Sequence, residues 1–243
     1  MMEISDRPAR RVMITGANRG IGLELTRQSA AMGDKVIACC RTPMEATALM
    51  ALARETDQIS ILGLDVRIER DMKPIAAGLG RRLDLLVCNA GVLSGRGGVL
   101  DPEQDSRTVE DTLMTNVGGV FFTARHFLPH LLAGSEERGD APGRLAIVSS
   151  QMGSSTRAGG SAIMYRASKA AATNLARSLA VELADRNIAV GAYHPGWVQT
   201  DMGGLEAAVT PADSAAGLLQ RFAALSMETS GTFEDYTGAA IPF

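Results

Sequence analysis

The chain has 243 residues, of which 46% are hydrophobic and 21% are charged, and its formal net charge is -3 at pH 7. This length is within reach of one α/β domain with a sizeable core. A slightly acidic chain offers no basic field to attract nucleic acid. No apolar run approaches the roughly 18 residues that a membrane-spanning helix needs. The composition therefore predicts a protein that binds neither nucleic acid nor membrane.

The first residues of the chain, Met1–Arg11, are polar. Asp6 and Pro8 stand where a signal peptide would need an apolar stretch. The cytoplasm is therefore the expected location.

Neither the cysteines nor the histidines suggest a metal site. Cys39, Cys40 and Cys88 have no metal-ligand spacing and lie in apolar runs, which is typical of small buried thiols in a reducing compartment. His126 and His130 are four residues apart on one predicted helix, but no third ligand is evident. We expect no bound metal.

Short apolar runs alternate with longer helical patterns along the whole chain. The runs are apolar nearly throughout, as expected for strands covered on both faces. Strict alternation of strand and helix predicts an α/β fold with a doubly wound, mostly parallel sheet flanked by helices. The predicted strands are Val12–Thr15, Lys35–Cys40, Ile59–Leu64, Leu83–Cys88, Leu145–Ser149 and Ile188–Tyr193. The main helical stretches are Gly20–Met32, Glu45–Glu55, Arg107–Leu132 and Ser161–Arg186.

Three segments have the residue order of a helix start, with a capping side chain followed by proline. They are Thr42–Glu45, Asp101–Gln104 and Thr210–Asp213. The glycine-rich stretches interrupt elements rather than separate domains, so residues 1–243 are expected to form a single domain.

The first predicted strand runs into a glycine-rich turn, Thr15–Gly22, which opens a helix. Such a turn points backbone N–H groups and the positive end of the helix dipole at one spot, which suits a pyrophosphate. The spacing is Gly-x-x-x-Gly-x-Gly, and a glycine triplet alone also occurs in turns that bind nothing. The strand before it and the helix after it favour a phosphate site. The candidate binding residues of the turn are Gly16, Asn18, Arg19, Gly20, Ile21 and Gly22.

The end of the second strand indicates which dinucleotide is preferred. An acidic residue there would bind both ribose hydroxyls and repel a 2′-phosphate, but this chain has Cys39-Cys40-Arg41-Thr42. Arg41 offers a planar fork to a phosphate, and Arg19 adds a second positive charge. Both residues favour NADP(H) over NAD(H); the alternative is that Arg41 is an ordinary solvated side chain.

The ends of the third and fourth strands supply further candidates for cofactor binding. Asp65 is placed to accept a hydrogen bond from the adenine amino group, with Val66 beside it; the alternative is a turn or cap residue. Asn89, Ala90 and Gly91 are small enough to let the chain pass close to the cofactor.

Tyr165 and Lys169 are four residues apart in a strong helical pattern and so share one helix face. A tyrosine with a pKa near 10 is a poor base at neutral pH, and a nearby ammonium favours its phenolate. We therefore expect Lys169 to lower the pKa of Tyr165. A Tyr-x-x-x-Lys pair by itself is common on helix surfaces, so the neighbouring candidates matter.

Further polar candidates surround this pair. A serine at the end of the fifth strand, in Ser149-Ser150-Gln151-Met152-Gly153, is placed to bond a substrate carbonyl. Asn116 interrupts a helical pattern, which indicates either a functional irregularity or a solvated side chain. Pro195 and Gly196 are expected to turn the chain after the sixth strand. Thr200 is placed to hold a nicotinamide carboxamide, and Val198 lies between Gly196 and Thr200 in the sequence.

Together these residues resemble the short-chain dehydrogenase/reductases, over nearly the whole chain and in the family's order. Within that family, Tyr165–Ala171, His194–Gly204 and the ending Ile241–Phe243 are similar to the C-factor and sniffer-type carbonyl reductase branch. The resemblance implies a Rossmann-type domain that moves hydride between nicotinamide and a carbonyl or secondary alcohol.

The resemblance also implies a role for each catalytic candidate. Tyr165 exchanges the proton with the substrate oxygen, and Lys169 lowers the pKa of Tyr165 and binds the nicotinamide ribose. Ser150 orients the carbonyl, and Asn116 holds a water. The interval from Ser150 to Tyr165 is slightly longer than the usual family spacing, so Ser149 and Ser154 stay alternatives to Ser150. Cys88 replaces a first Asn found in many relatives.

Two other functions compete with this one. The C-factor resemblance invites a cofactor-binding signalling or regulatory protein with little turnover, but the intact set of catalytic candidates favours the enzyme. A nucleotide-sugar epimerase would usually carry a larger C-terminal domain. The resemblance implies a small-molecule carbonyl or alcohol as the substrate. The family resemblance also implies a homodimer or homotetramer.

Overall fold

A computed structural model describes residues 9–80, 82–139 and 141–243. The polar segment Met1–Arg11 lies outside the described residues except for its last three. Within these residues, seven strands form one sheet in the order β3-β2-β1-β4-β5-β6-β7, and every neighbouring pair is parallel. The strands are β1 (Arg11–Thr15), β2 (Lys35–Cys40), β3 (Ile59–Gly63), β4 (Leu85–Cys88), β5 (Gly143–Val148), β6 (Ile188–His194) and β7 (Thr232–Asp235).

In the described part of the chain, seven α-helices connect and cover these strands. They are α1 (Gly20–Ala31), α2 (Thr47–Arg54), α3 (Glu69–Gly78), α4 (Ser106–Leu113), α5 (Gly119–Arg138), α6 (Ile163–Glu182) and α7 (Pro211–Ala224). A π-helical turn, Met114–Gly118, joins α4 to α5. Short 3-10 turns at Pro43–Glu45, Gln151–Gly153, Ser155–Arg157 and Ala184–Arg186 complete the elements.

The sheet is buried on both faces because its strands send alternate side chains into two separate cores. Met13 of β1 lies in one core, where Phe127 of α5 and Ala172 of α6 cover the sheet. Its neighbours in the strand point to the other core, which contains Leu25 of α1 and Phe222 of α7. Strands that contact apolar side chains on both sides need nearly continuous hydrophobic sequence, and this is the pattern the sequence shows.

The predicted doubly wound α/β architecture is confirmed, and each of the six predicted strands is present within two residues of its expected ends. The sequence prediction missed helix α3 and strand β7. Pro74 interrupts the helical pattern of α3, and β7 is a four-residue edge strand with one buried side chain. In the part of the chain that the structure describes, no helix is long and apolar enough to cross a membrane.

Only one of the three predicted helix starts is confirmed. The Thr210 side chain accepts a hydrogen bond from the Asp213 N–H at the start of α7. Thr42 makes no capping bond, and Pro43–Glu45 forms a 3-10 turn before α2 begins at Thr47. At Asp101–Gln104 the prediction is also wrong: the Asp101 carboxylate instead accepts the N–H groups of Gly97 and Glu103 within a loop, and Asp105 caps α4.

The contrast between Thr210 and Thr42 gives a stability prediction. Thr210→Ala removes the N-terminal cap of α7 and should lower the free energy of unfolding by about 1 kcal/mol. Thr42→Ala is the matched control and should change it by less than about 0.5 kcal/mol. Urea unfolding followed by circular dichroism measures both. Equal losses in the two variants would contradict the capping role of Thr210.

Candidate active site

A cleft of about 430 Å³ opens at the carboxyl ends of the strands. The sheet order reverses between β1 and β4, and in open α/β sheets this switch point is where ligands bind. The volume falls within the range of small-molecule and cofactor sites. Residues from the ends of β1, β2, β3, β4, β5 and β6 all reach the cleft.

The glycine turn forms the floor of the cleft under the start of α1. Gly16 and Gly20 have positive φ angles of 67° and 53°, a conformation that favours glycine. A Cβ on Gly22 would collide with the carbonyl oxygen of Gly16. Arg19 precedes α1 and makes no side-chain cap, so the first N–H groups of the helix are left for an anion. All six predicted residues of the turn line the cleft.

The end of β4 is bonded to this turn through Asn89. Its amide nitrogen donates to the carbonyl oxygens of Thr15 (2.9 Å) and Gly16 (3.2 Å). In return, the Thr15 hydroxyl accepts the N–H groups of Asn89 and Ala90 at 3.0 and 3.1 Å. Asn89, Ala90 and Gly91 line the cleft, so these contacts fix the cleft wall opposite α1.

Three charged side chains line the far end of the cleft, at the ends of β2 and β3: Arg41, Asp65 and Arg67. Arg41 is exposed. The Asp65 carboxylate is held by Arg67, whose Nη2 lies 2.7 Å from Oδ2. Burial raises the pKa of Asp65, but the bonds from Arg67 and the charge of Arg41 together hold it below its usual value. Arg67 was not identified from the sequence.

Segment 197–204, which follows β6, is held to the cleft from two sides. Asp201 forms an ion pair with Arg19 of the glycine turn. Arg96, in the loop after β4, donates from Nη2 to the carbonyl oxygen of Met202 at 2.6 Å. Sequence reasoning missed Asp201 and Met202 as cleft residues, and it placed Arg19 beside a phosphate without an acidic partner.

Tyr165 and Lys169 lie on the inner face of α6, and both are buried. The Lys169 Nζ lies 5.7 Å from the centre of the Tyr165 ring and donates to the Val148 carbonyl at 2.9 Å. Burial lowers the pKa of Lys169 to about 8. The expected lowering of the Tyr165 pKa is wrong for this geometry: burial raises it, and a hydrogen bond from Ser150 only partly offsets the rise. Tyr165 is therefore protonated at neutral pH.

The three candidate serines have different partners. The Ser149 hydroxyl bonds to the Lys169 carbonyl (3.0 Å) and the Thr173 hydroxyl (2.7 Å), both on α6. The Ser154 hydroxyl bonds to that of Thr156. The Ser150 hydroxyl is hydrogen-bonded to Tyr165 and accepts the Met152 N–H at 3.1 Å. The geometry favours Ser150 as the partner of Tyr165.

Asn116 lies in the π-helical turn between α4 and α5 and is buried. Its side chain forms two 2.9 Å hydrogen bonds with the backbone of Val92 and donates to the Ser168 hydroxyl at 3.0 Å. The solvated alternative is therefore wrong, and the helix irregularity is present. A Cβ on Gly91 would lie 3.3 Å from the Asn116 Oδ1 and 3.4 Å from the Lys169 Nζ. Gly91 thus lets the β4 loop pass between the two side chains.

The predicted residues after β6 fall into two groups. Pro195 and Thr200 line the cleft. Gly196 and Val198 support the segment locally: Gly196 has a φ of 89°, and buried Val198 pairs with Val209. The cradle of glycines, the uncapped helix start and the polar ends of the cleft fit a dinucleotide.

The two histidines of α5 have separate partners. His126 contacts Glu69, and His130 contacts the carbonyl oxygen of Ala76. Within the described residues, no group of three or more His, Cys, Asp or Glu side chains could hold a metal.

This site lies in a fold that belongs to a known family of enzymes. Residues 10–208 match the family described as short chain dehydrogenase. The chain therefore belongs to the short-chain dehydrogenase/reductase family and is an oxidoreductase.

Related sequences and solved structures belong to the branch that the sequence motifs predicted, the C-factor and sniffer-type carbonyl reductases. The chain is 38% identical over 162 residues to the C-signal protein of Myxococcus xanthus, covering 66% of this chain and 93% of that one. The NADPH-bound carbonyl reductase from chicken fatty liver superposes with a TM-score of 0.89 at 31% identity, covering 98% of this chain and 100% of that one. The carbonyl reductase Sniffer of D. melanogaster gives 0.89 at 30% identity, covering 97% and 100%. The resemblance to the C-factor and sniffer-type branch is confirmed.

The buried lysine gives a testable pH dependence of stability. Lys169→Met should raise the free energy of unfolding by about 1–3 kcal/mol at pH 7, because the folded protein then buries no ammonium. Below pH 8 both folded and unfolded wild type carry this proton and the burial penalty is complete. The penalty fades as the pH rises from 8 towards the ordinary lysine value near 10.5.

Denaturant unfolding between pH 7 and pH 10 measures this effect. The gain in Lys169→Met should shrink with rising pH, while the exposed Lys73→Met control should stay close to wild type throughout. A variant that is less stable than wild type at pH 7, or whose gain is independent of pH, would disprove this account of Lys169.

Proposed function

We propose that the protein is an NADP(H)-dependent oxidoreductase that reduces a carbonyl or oxidises a secondary alcohol. The observation that carries the proposal is the buried Tyr165, which lines the cleft together with Lys169. Its ring centre is 5.7 Å from the Lys169 Nζ, and its hydroxyl interacts with that of Ser150. A hydroxyl pair of this kind can bind one carbonyl oxygen and deliver a proton to it.

The chain offers a binding group for each part of the cofactor. The turn between β1 and α1 binds the pyrophosphate through backbone N–H groups. Asp65 and Val66 bind the adenine, and Lys169 binds the nicotinamide ribose. Asn89, Ala90, Gly91, Pro195 and Thr200 form the walls on which the rest of the cofactor lies. The bound nicotinamide supplies or accepts the hydride.

In reduction, Tyr165 donates its proton to the substrate oxygen as negative charge develops there. Its raised pKa keeps the proton in place at neutral pH until the substrate oxygen becomes basic enough to take it. Ser150 donates a second hydrogen bond to the same oxygen. Lys169, charged below pH 8, then stabilises the phenolate that forms on Tyr165. Asn116 holds the loop of Val92 against α6.

The preference for NADP(H) rests on Arg41. Neither Arg41 nor Thr42, the two residues directly after β2, is acidic, and the exposed guanidinium of Arg41 is free to form a bidentate contact with a 2′-phosphate. The chicken carbonyl reductase carries NADPH, and a 29% identical relative in Arabidopsis thaliana is named an NADPH-dependent pterin aldehyde reductase. Both facts support the same cofactor here.

The similarity to C-signal favours one alternative, a signalling protein with little turnover. A screen of carbonyls with NADPH and of alcohols with NADP⁺ decides between them. Turnover of any carbonyl that depends on Tyr165 supports the enzyme; tight NADPH binding with no turnover across the panels supports the regulator. The cytoplasmic location, the single domain over residues 1–243 and the dimer or tetramer stay predictions.

Tyr165→Phe removes only the proposed proton donor. Turnover should fall by about 10²- to 10⁴-fold, the usual contribution of a general acid, while the dissociation constant for NADPH stays within about twofold of wild type. Steady-state kinetics and fluorescence titration measure the two quantities. Tyr193→Phe is the matched control, because that hydroxyl is buried in the core without a hydrogen-bond partner among the described residues. Wild-type turnover in Tyr165→Phe would refute the assignment.

Arg41→Ala should weaken NADPH binding and leave NADH binding nearly unchanged. A charge-assisted hydrogen bond is worth about 1.5–3 kcal/mol, or roughly 10- to 150-fold in affinity. Because Arg41 is exposed and salt screens its charge, we expect an effect near the lower value. Adding Cys40→Asp to Arg41→Ala should reverse the preference, since an acid then bonds the ribose hydroxyls. Arg54→Ala, an equal charge change at the exposed end of α2, is the control. Dissociation constants at two salt concentrations test this, and an NADPH advantage that survives Arg41→Ala at low salt contradicts it.

A further inference from the structure

The acids that line the cleft share one feature. In the described part of the chain they are two, Asp65 and Asp201, and each is paired with its own arginine. Arg67 holds Asp65, and Arg19 holds Asp201. Arg41 lines the same cleft, and among the described residues its guanidinium has neither an ion-pair nor a hydrogen-bond partner. The charge available at the adenosine end of the cleft is therefore that of Arg41.

The contact between Arg67 and Asp65 occupies most of the carboxylate. Oδ1 accepts the backbone N–H of Arg67 at 3.0 Å and its Nε at 3.1 Å. Oδ2 accepts Nη2 at 2.7 Å and Nε at 3.2 Å. A carboxylate has about four acceptor positions, so little of Asp65 is left for a second guanidinium. Nη1 of Arg67 is fixed in turn by Asp111 of α4 at 3.0 Å.

Arg41 and Asp65 follow the paired ends of β2 and β3, where Cys40 lies opposite Gly63. Both side chains line the cleft, and their charges interact. If the Asp65 carboxylate were not occupied, it would compete with a 2′-phosphate for Arg41 and would also repel that phosphate. We propose that Arg67 is a positioning residue that sets the preference for a 2′-phosphate indirectly, by occupying Asp65 so that Arg41 stays available. This inference rests on the proposed function, since it assumes that Arg41 meets the 2′-phosphate.

The test is the ratio of the dissociation constants for NAD⁺ and NADP⁺, measured by isothermal titration calorimetry on the whole protein. Arg67→Met should lower the preference for NADP⁺ by about two- to fivefold, the range expected for an exposed ion pair. The ratio cancels any general loss of adenine binding. Arg70→Met removes the same charge three residues further along, from a side chain that is 86% exposed, and should leave the ratio within about twofold of wild type.

A second substitution separates the indirect role from a direct contact. In an Asp65→Asn background no carboxylate competes for Arg41, so adding Arg67→Met should leave the ratio unchanged within about twofold. If the ratio still falls in that background, Arg67 touches the phosphate itself and the indirect role is wrong. An unchanged ratio in the single variant also overturns the proposal.

Arg67→Lys keeps the charge but loses the planar fork, and its ratio should lie between those of wild type and Arg67→Met. This variant carries the test if the methionine variant does not fold, as judged by its melting temperature. A wild-type protein that prefers NAD⁺ overturns the proposed cofactor preference, and the role of Arg67 with it. A wild type that prefers NADP⁺, with Arg67 variants that keep the wild-type ratio, overturns this inference alone.

Discussion

The cleft depends on the close approach of two backbones, the turn after β1 and the end of β4. A Cβ on Gly16 would lie 2.9 Å from the Ala90 Cα, which leaves no room for a side chain between them. The hydrogen bonds of Asn89 and of the Thr15 hydroxyl close this contact from both sides. Since α1 begins four residues after Gly16, the same contacts that join β1 to β4 also aim the start of α1 at the cleft.

The catalytic end of the cleft is positioned by a bond that takes no part in the proposed chemistry. The Ser149 hydroxyl holds the backbone of α6 at Lys169 and the side chain of Thr173. Successive side chains of an extended chain point to opposite sides, and Ser150 has extended backbone angles. Because Ser149 is anchored to α6, the side chain of Ser150 points to the opposite side of the chain, where its hydroxyl interacts with Tyr165. Two adjacent serines thus have one structural task and one proposed catalytic task.

The features that the sequence predicted well are local in the chain. Lys169 is one helical turn from Tyr165, and the glycine turn lies within eight residues, so spacing alone places their groups together. The same holds for the strands, whose apolar runs reflect burial on both faces. Strand β7 was missed because an edge strand with one buried residue has no such run.

The features that the sequence did not predict depend on contacts between distant residues. The partner of Arg19 is Asp201, 182 positions away, and nothing in either local sequence links them. The residues next to Arg67 indicate only a turn. They do not reveal its contact with Asp111, which is 44 positions away. The choice among Ser149, Ser150 and Ser154 likewise depends on how α6 packs against β5. The expected lowering of the Tyr165 pKa fails because burial raises the pKa of the phenol and the Ser150 hydroxyl offsets only part of that rise.

The two ends of the cleft use positive charge in different environments. Lys169 is 5% exposed, so its interactions are strong, little screened by salt and limited mainly by the cost of burial. Arg41 is exposed, so its attraction for an anion is weak for each contact and sensitive to salt. A weak contact of this kind discriminates between ligands only if no nearby acid competes for it. We therefore infer that the pairing of Asp65 with Arg67 matters at the end of the cleft that contains the exposed Arg41, whereas the strength of the Lys169 interactions comes from burial.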